Sequence, residues 1–400
     1  MDFIIVCVNL CLYLLLFLFV LFRNKKIGVA EILLSIYVIV AIASVFYYDS
    51  EPDVWNLNML NLLYLFCIVF IFLKPVFNDN VIEVYSNPIK NYLFYKCVAV
   101  VYIILALYSC IVYLPQVYFA LQNPDWAEMY AESHEIVESN IFTKLANLFF
   151  HFRYLGIVLF FSFLSSKYKN GFLIFFLGIA AFLPCFLVTM LNASRGGIIR
   201  LVISFYLSYK LFDPILPNKI KKIVFRLILL FLPIAIIYFM AVTNSRFEDN
   251  AATGFDSSES ALLSYLGQSM MTFDYGVMDS QTSFGNGFYM FDRPSWGTIK
   301  GTHFGTNFMT FVGCLYLDYA AFGTFIISLV VYIMMRNFLT KGKRGIPEIY
   351  VILYYLMFLF NGVFVHGVGY GNQWIEVIVT YFLLKYTERI VLSKKIVQIS

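Results

Sequence analysis

Between two long apolar runs the chain reads Asn192-Ala193-Ser194-Arg195-Gly196-Gly197-Ile198-Ile199-Arg200, a cationic, glycine-bearing string. Serine is a good N-cap, so Ser194 would open the following helix with its unsatisfied backbone N–H groups and the positive end of its dipole at the membrane boundary. Gly196 and Gly197 would let a ligand approach the backbone closely. Arg195 offers a planar fork suited to phosphate oxygens. Arg200, about 7 Å further along the helix, can meet the same group or an internal acid. A charge inside an apolar run points by default to a functional site with an oppositely charged partner. The chemistry these residues suit is a diphosphate cradle at the depth of lipid headgroups. They also fit a tight helical hairpin whose arginines reach out to lipid phosphates.

A second constellation is Gly301-Thr302-His303-Phe304-Gly305-Thr306-Asn307, which leads into an apolar stretch containing Tyr316-Leu317-Asp318-Tyr319-Ala320-Ala321-Phe322-Gly323. His303 follows Arg293 and Lys300. A neutral imidazole there can accept a hydroxyl proton, although a lone loop histidine can equally be a solvated side chain. From Asn307 to Arg336 a continuous helix would measure about 45 Å, well beyond a hydrocarbon core of about 30 Å. A projection, a tilt or a break is therefore expected, with the break near Gly313 or Asp318. Asp318 would then be an acid near the outer leaflet with an arginine as its natural partner, or half of an ion pair that only orients the bundle. Arg246 leaves the membrane on the same side and could join Arg195 around phosphate, or be an ordinary interfacial arginine. His366 sits in a glycine-rich stretch, 361–372, that would line an entrance or make a tight turn. His134 and His151 are weaker candidates, since one accompanies an acidic segment and the other starts a helix.

The elements that must position these residues follow from composition. The chain has 400 residues, of which 61% are hydrophobic and 13% charged, and its mean hydropathy is +0.79. That leaves too little polar surface for a soluble globule and implies a polytopic, all-α membrane protein. Runs of roughly 20 apolar residues span a bilayer, and about eleven are present: 3–22, 27–47, 55–73, 93–114, 145–164, 172–191, 197–212, 223–242, 308–335, 346–365 and 374–387. Alternate connections, at 23–26, 74–96, 167–169, 210–222 and 336–344, are basic, as is the tail with Lys385, Arg389, Lys394 and Lys395. The positive-inside rule assigns that set to the cytoplasm. The net charge of +4 is thus topological, and no nucleic acid is implied. The start, Met1-Asp2 ahead of an apolar run and then Arg23-Asn24-Lys25-Lys26, reverses the charge order of a cleavable signal and reads as a retained first span.

The expected organisation is a single transmembrane domain over 1–400 with two large external loops, 115–143 and 243–307. In the first, Glu128, Glu132, Glu135 and Glu138 recur at helical spacing, a face that is either solvated or offered to cations and sugar hydroxyls. The second is roughly 65 residues long, and connections beyond about 15 residues are functional or disordered. Its aromatic residues, Phe247, Phe255, Tyr265, Phe273, Tyr275, Phe284, Phe288, Tyr289, Phe291 and Trp296, argue for a folded lid on the outer face. The seven cysteines lie in or beside apolar runs without metal-ligand spacing, so disulfides and zinc are not expected. No internal repeat or soluble catalytic domain is visible, and no cofactor is implied.

At these residues the chain resembles the oligosaccharide repeat-unit polymerases of the Wzy type. Members carry a Ser-Arg-Gly string between central helices, matched by Ser194-Arg195-Gly196, and a later Tyr-x-Asp-aromatic-x-x-x-Gly-like stretch, matched by Tyr316-Leu317-Asp318-Tyr319 and Gly323. Helix count, the large external loop and the order of the motifs also agree. Ala320-Ala321 depart from the pattern, standing where a glycine commonly follows the aromatic. The resemblance implies a GT-C-like membrane glycosyltransferase fold in a bacterial inner membrane. It implies metal-independent transfer of a growing glycan from an undecaprenyl diphosphate carrier to the next lipid-linked repeat unit, yielding O-antigen or capsular polysaccharide. Donor, acceptor and bilayer are then the partners, and a chain-length regulator is a further candidate. In that scheme Arg195, with Ser194, Gly196, Gly197, Arg200, Arg246, Arg293 and His366, binds substrate, His303 takes the acceptor proton, and Asp318 orients an arginine or a sugar. An O-antigen ligase shares the architecture. A lipid-linked oligosaccharide flippase or other transporter is the competitor from another class, disfavoured by the long outer loop and the lack of repeats.

Overall fold

A computed structural model describes residues 2–50, 55–122, 141–167, 170–192, 195–248, 258–278, 309–340, 344–363 and 370–397. Every regular element among them is helical. Among the described residues six helices are long and apolar enough to cross a membrane, or seven if one bent pair is a single span. The chain is a multi-pass, all-helical membrane protein. It divides into two compact units, one of 1–82, 256–342 and 355–375 and the other of 83–255, 343–354 and 376–400.

The first unit contains α1 (Asp2–Asn24), α2 (Val29–Ser50), α3 (Met59–Leu73), α4 (Ser258–Thr272) and α5 (Thr310–Thr340). The buried Glu31 carboxylate closes the turn between α1 and α2, accepting from the Gly28 N–H at 2.8 Å and from Asn24 Nδ2 at 2.7 Å. Asn58 caps α3, its side chain accepting from Leu60 N–H.

α4 falls within the stretch read above as an external loop, yet it is packed into the bundle. A Cβ on Gly267 would stand 2.6 Å from the Ala43 carbonyl oxygen. The Ser44 hydroxyl donates to the Gly267 carbonyl at 2.6 Å. Small residues permit this close crossing, as they commonly do between membrane helices. Beyond α4, Asp274 accepts from the Asn58 N–H and from Asn61 Nδ2, both at 2.6 Å. These contacts fall at the ends of α2 and α3 that the charge pattern assigns to the outside.

α5 is broken at Ala320, two residues beyond Asp318 and so close to one of the two places where the sequence puts a break. Ala320 has φ 56° and ψ −177°. An irregular backbone within a span needs its polar groups satisfied internally. The Tyr64 hydroxyl donates to the Ala321 carbonyl at 2.7 Å, and the Tyr64 ring stacks near Phe273 and meets Tyr316 edge-on.

The second unit contains α6 (Tyr92–Gln122), α7 (Ile141–His151), α8 (Arg153–Ser165), α9 (Gly171–Leu191), α10 (Arg195–Phe212) and α11 (Asn218–Glu248). α6 packs on α7 and α9, α8 on α9 and α10, and α10 on α11. α6 runs through Pro115 to Gln122, so the expected 115–143 loop begins with helix. α7 and α8 meet at 50°. Gly156 lets the Tyr102 ring lie against α8, because a Cβ there would overlap the ring.

The remaining apolar runs fall on α10, α11, α12 (Ile346–Asn361) and α13 (Tyr370–Val397). α10 holds three cations, Arg195, Arg200 and Lys210, α12 has only 16 residues, and α11 opens with Lys219, Lys221, Lys222 and Arg226. α13 carries Glu376, Lys385, Glu388 and Arg389 along its length.

Candidate functional site

The second unit encloses an open cavity of about 370 Å³. Each lining helix contributes one face at the spacing i, i+3, i+4, i+7, which places side chains on a single side of an α-helix. α9 supplies Cys185, Val188, Thr189 and Asn192. α10 supplies Gly197, Arg200, Leu201 and Ser204. The bent pair supplies Asn147, Phe150, His151 and Tyr154, with Arg153 and Ile157.

The bend itself places two of these residues. Phe152 leaves helical geometry at φ −104° and ψ 7°, and α8 restarts with Arg153 in its first turn. The Arg153 guanidinium lies 4.8 Å from the centre of the Tyr154 ring. The Tyr350 hydroxyl donates to the His151 carbonyl at 3.4 Å.

His151 Nδ1 is 2.6 Å from Glu376 Oε2 on α13. An ionised carboxylate only accepts, so the bonded tautomer carries its proton on Nδ1 and presents Nε2 as an acceptor. α13 is pinned in this register from further along. Lys385 pairs with Glu348 on α12, and Glu348 also accepts from the Gly345 N–H at 2.8 Å. α12 thus holds both members of the pair in place, His151 through Tyr350 and Glu376 through α13.

Arg200 turns back along α10, its Nε donating to the Gly196 carbonyl at 3.1 Å. Helical side chains lean toward the N-terminus. The headgroup consequently lies beside the first turn of α10 and not a full 7 Å deeper. Arg153 and Arg200 both lie within electrostatic reach of the Cys185 thiol. Against two guanidiniums stands the Glu376 carboxylate, so with a neutral His151 the charges named here sum to a surplus of one positive charge. That surplus favours an anionic guest.

Of the residues singled out in the sequence, His151, Gly197 and Arg200 line this cavity, and α10 begins with Arg195. The two glycines differ. A Cβ on Gly197 would collide with Thr189, whereas one on Gly196 would meet nothing within 4 Å. Gly197 therefore serves the α9–α10 packing, and Gly196 is where close approach to the backbone remains open. Arg246 belongs to the last turn of α11. Asp318 belongs to the first unit, buried two residues before the Ala320 break. Ser194, Arg293, His303 and His366 lie outside the described residues, as do the side chains of Arg195 and Arg246. Sequence reasoning missed Arg153 and Glu376, and ranked His151 below His303 and His366. The signal was present, since Arg153 interrupts the 145–164 run as Arg200 interrupts its own.

No family profile, curated protein or solved structure matches this chain.

Proposed function

We propose that the protein joins glycan units carried on a polyprenyl diphosphate, as a repeat-unit polymerase at the outer face of a bacterial inner membrane. The proposal includes a GT-C-like arrangement of about eleven spans, with helices α10 to α13 completing the bundle. The observation that carries the reading is the cavity at the head of α10, which Arg153 and Arg200 both line. A glycosyl donor on a lipid diphosphate is already activated. The protein needs to neutralise charge developing on the leaving diphosphate, hold the acceptor hydroxyl close to the anomeric carbon, and exclude water. Guanidiniums supply the first of these through paired N–H donors that match phosphate oxygens. Arg195 and Arg246 are assigned to the same diphosphate from the ends of α10 and α11, and Asp318 to orienting an arginine or a sugar.

The test is reconstitution of the purified protein in liposomes with a synthetic polyprenyl-diphosphate-linked repeat unit, followed by sizing of the products. Ladders of joined units support the reading. Recovery of the unit unchanged under conditions where it binds removes it. Transfer of finished polymer to a lipid A core without joining of single units identifies a ligase instead. Movement of the unit between leaflets without joining identifies a transporter.

A further inference from the structure

Resting on that reading, we infer that His151, oriented by Glu376, is the base that takes the acceptor's proton, in place of His303. Two observations combine. His151 lines the same cavity as Arg153 and Arg200. Its Nδ1 is held by a carboxylate at 2.6 Å, which fixes the ring and directs Nε2 away from Glu376. Such an imidazole–carboxylate pair is the arrangement by which proteins set a histidine's tautomer and stabilise the imidazolium it becomes.

The step balances without a co-reactant. The acceptor hydroxyl gives its proton to His151 Nε2 as its oxygen forms a bond to the donor's anomeric carbon. The bond from that carbon to the diphosphate oxygen breaks, and its electron pair stays on the diphosphate, facing Arg153 and Arg200. Glu376 stabilises the imidazolium until it releases the proton to solvent. Positive charge on His151 arises at the moment negative charge arises on the leaving group, so the base and the guanidiniums both act in the transition state.

The experiment compares wild type, His151→Ala, His151→Gln, Glu376→Gln and His303→Ala in the liposome assay, with binding of the lipid diphosphate donor measured alongside. General-base removal costs on the order of 10²–10⁴-fold in rate. Both His151 variants should fall by that much in kcat with donor binding kept. Added imidazole should restore part of the rate in His151→Ala, and His303→Ala should retain activity. Glu376→Gln, which keeps a hydrogen bond to the ring but loses the charge, should show a smaller loss in kcat. Full transfer by His151→Gln, loss of donor binding in both His151 variants, or imidazole rescue of His303→Ala and not of His151→Ala each overturns the assignment. Wild-type protein that joins nothing sinks the polymerase reading itself, a result distinct from any of these.

Discussion

Thr189 stands where a side chain at Gly197 would have to go, its Oγ1 2.6 Å from the position of a Cβ on that glycine. Thr189 is held there by its own bond to the Cys185 carbonyl at 2.7 Å, and its carbonyl accepts from Tyr238 of α11 at 3.1 Å. α9, α10 and α11 are thus locked together at the end that bears the cavity. Gly197→Ala is expected to force them apart at a cost of about 1–3 kcal/mol, the usual penalty of overpacking. Gly196→Ala should leave stability unchanged or slightly raised, because alanine is the better helix former. If diphosphate lies against the α10 backbone, Gly196→Ala should weaken donor binding while thermal unfolding in detergent stays at the wild-type temperature. The two measurements on the two variants separate packing from ligand approach.

The Ala320 break supports a second prediction. A non-glycine residue at φ 56° and ψ −177° occupies a region glycine adopts without penalty, and such strain costs of order 1–3 kcal/mol. Ala320→Gly should therefore raise the unfolding temperature, and Ala320→Val should lower it. A lower unfolding temperature for Ala320→Gly would mean that the break is not a feature of the folded protein.

How much of this was legible depended on whether hydropathy carried the signal. That α5 must project, tilt or break follows from its length against the bilayer, and the break falls two residues from Asp318, near where the sequence puts it. The bond that steadies it comes from Tyr64, distant in sequence, and is not legible there. α4 was missed because Gln268, Ser269 and their polar neighbours dilute its apolarity. What buries it is the fit of Gly267 against Ala43 and Ser44, and small residues hardly register in hydropathy. Arg153 was hidden differently, inside one apolar run that the structure divides at Phe152, and His151 in the same run was named only as a weaker candidate. Glu376 acquires meaning only from its partner, which the chain supplies from a different helix.

Arg200 yields a third prediction, one that separates charge from geometry. Its Nε is committed to the Gly196 carbonyl, so the rest of the guanidinium is presented as an oriented plane. Lysine keeps the charge but has no such fork. Both Arg200→Ala and Arg200→Lys should lose on the order of 10²–10³-fold in transfer rate, the scale of removing one preorganised donor to a developing oxyanion. Near-normal rates in Arg200→Lys would show that a point charge suffices and that the orientation imposed by Gly196 is incidental.

The last prediction concerns sidedness, on which the diphosphate assignment depends. The charge pattern places Asn192, at the C-terminal end of α9, on the outside, and Lys167, after the end of α8, on the inside. In a background with the seven native cysteines replaced, Asn192→Cys should react with a membrane-impermeant thiol reagent added to intact cells. Lys167→Cys should react only after permeabilisation. Asn192 lines the cavity, so its labelling should also be slowed by a soluble diphosphate if that anion occupies the space between Arg153 and Arg200. Labelling of Lys167→Cys from outside would invert the whole arrangement and put the cationic cavity on the face where no polymerisation of exported glycan takes place.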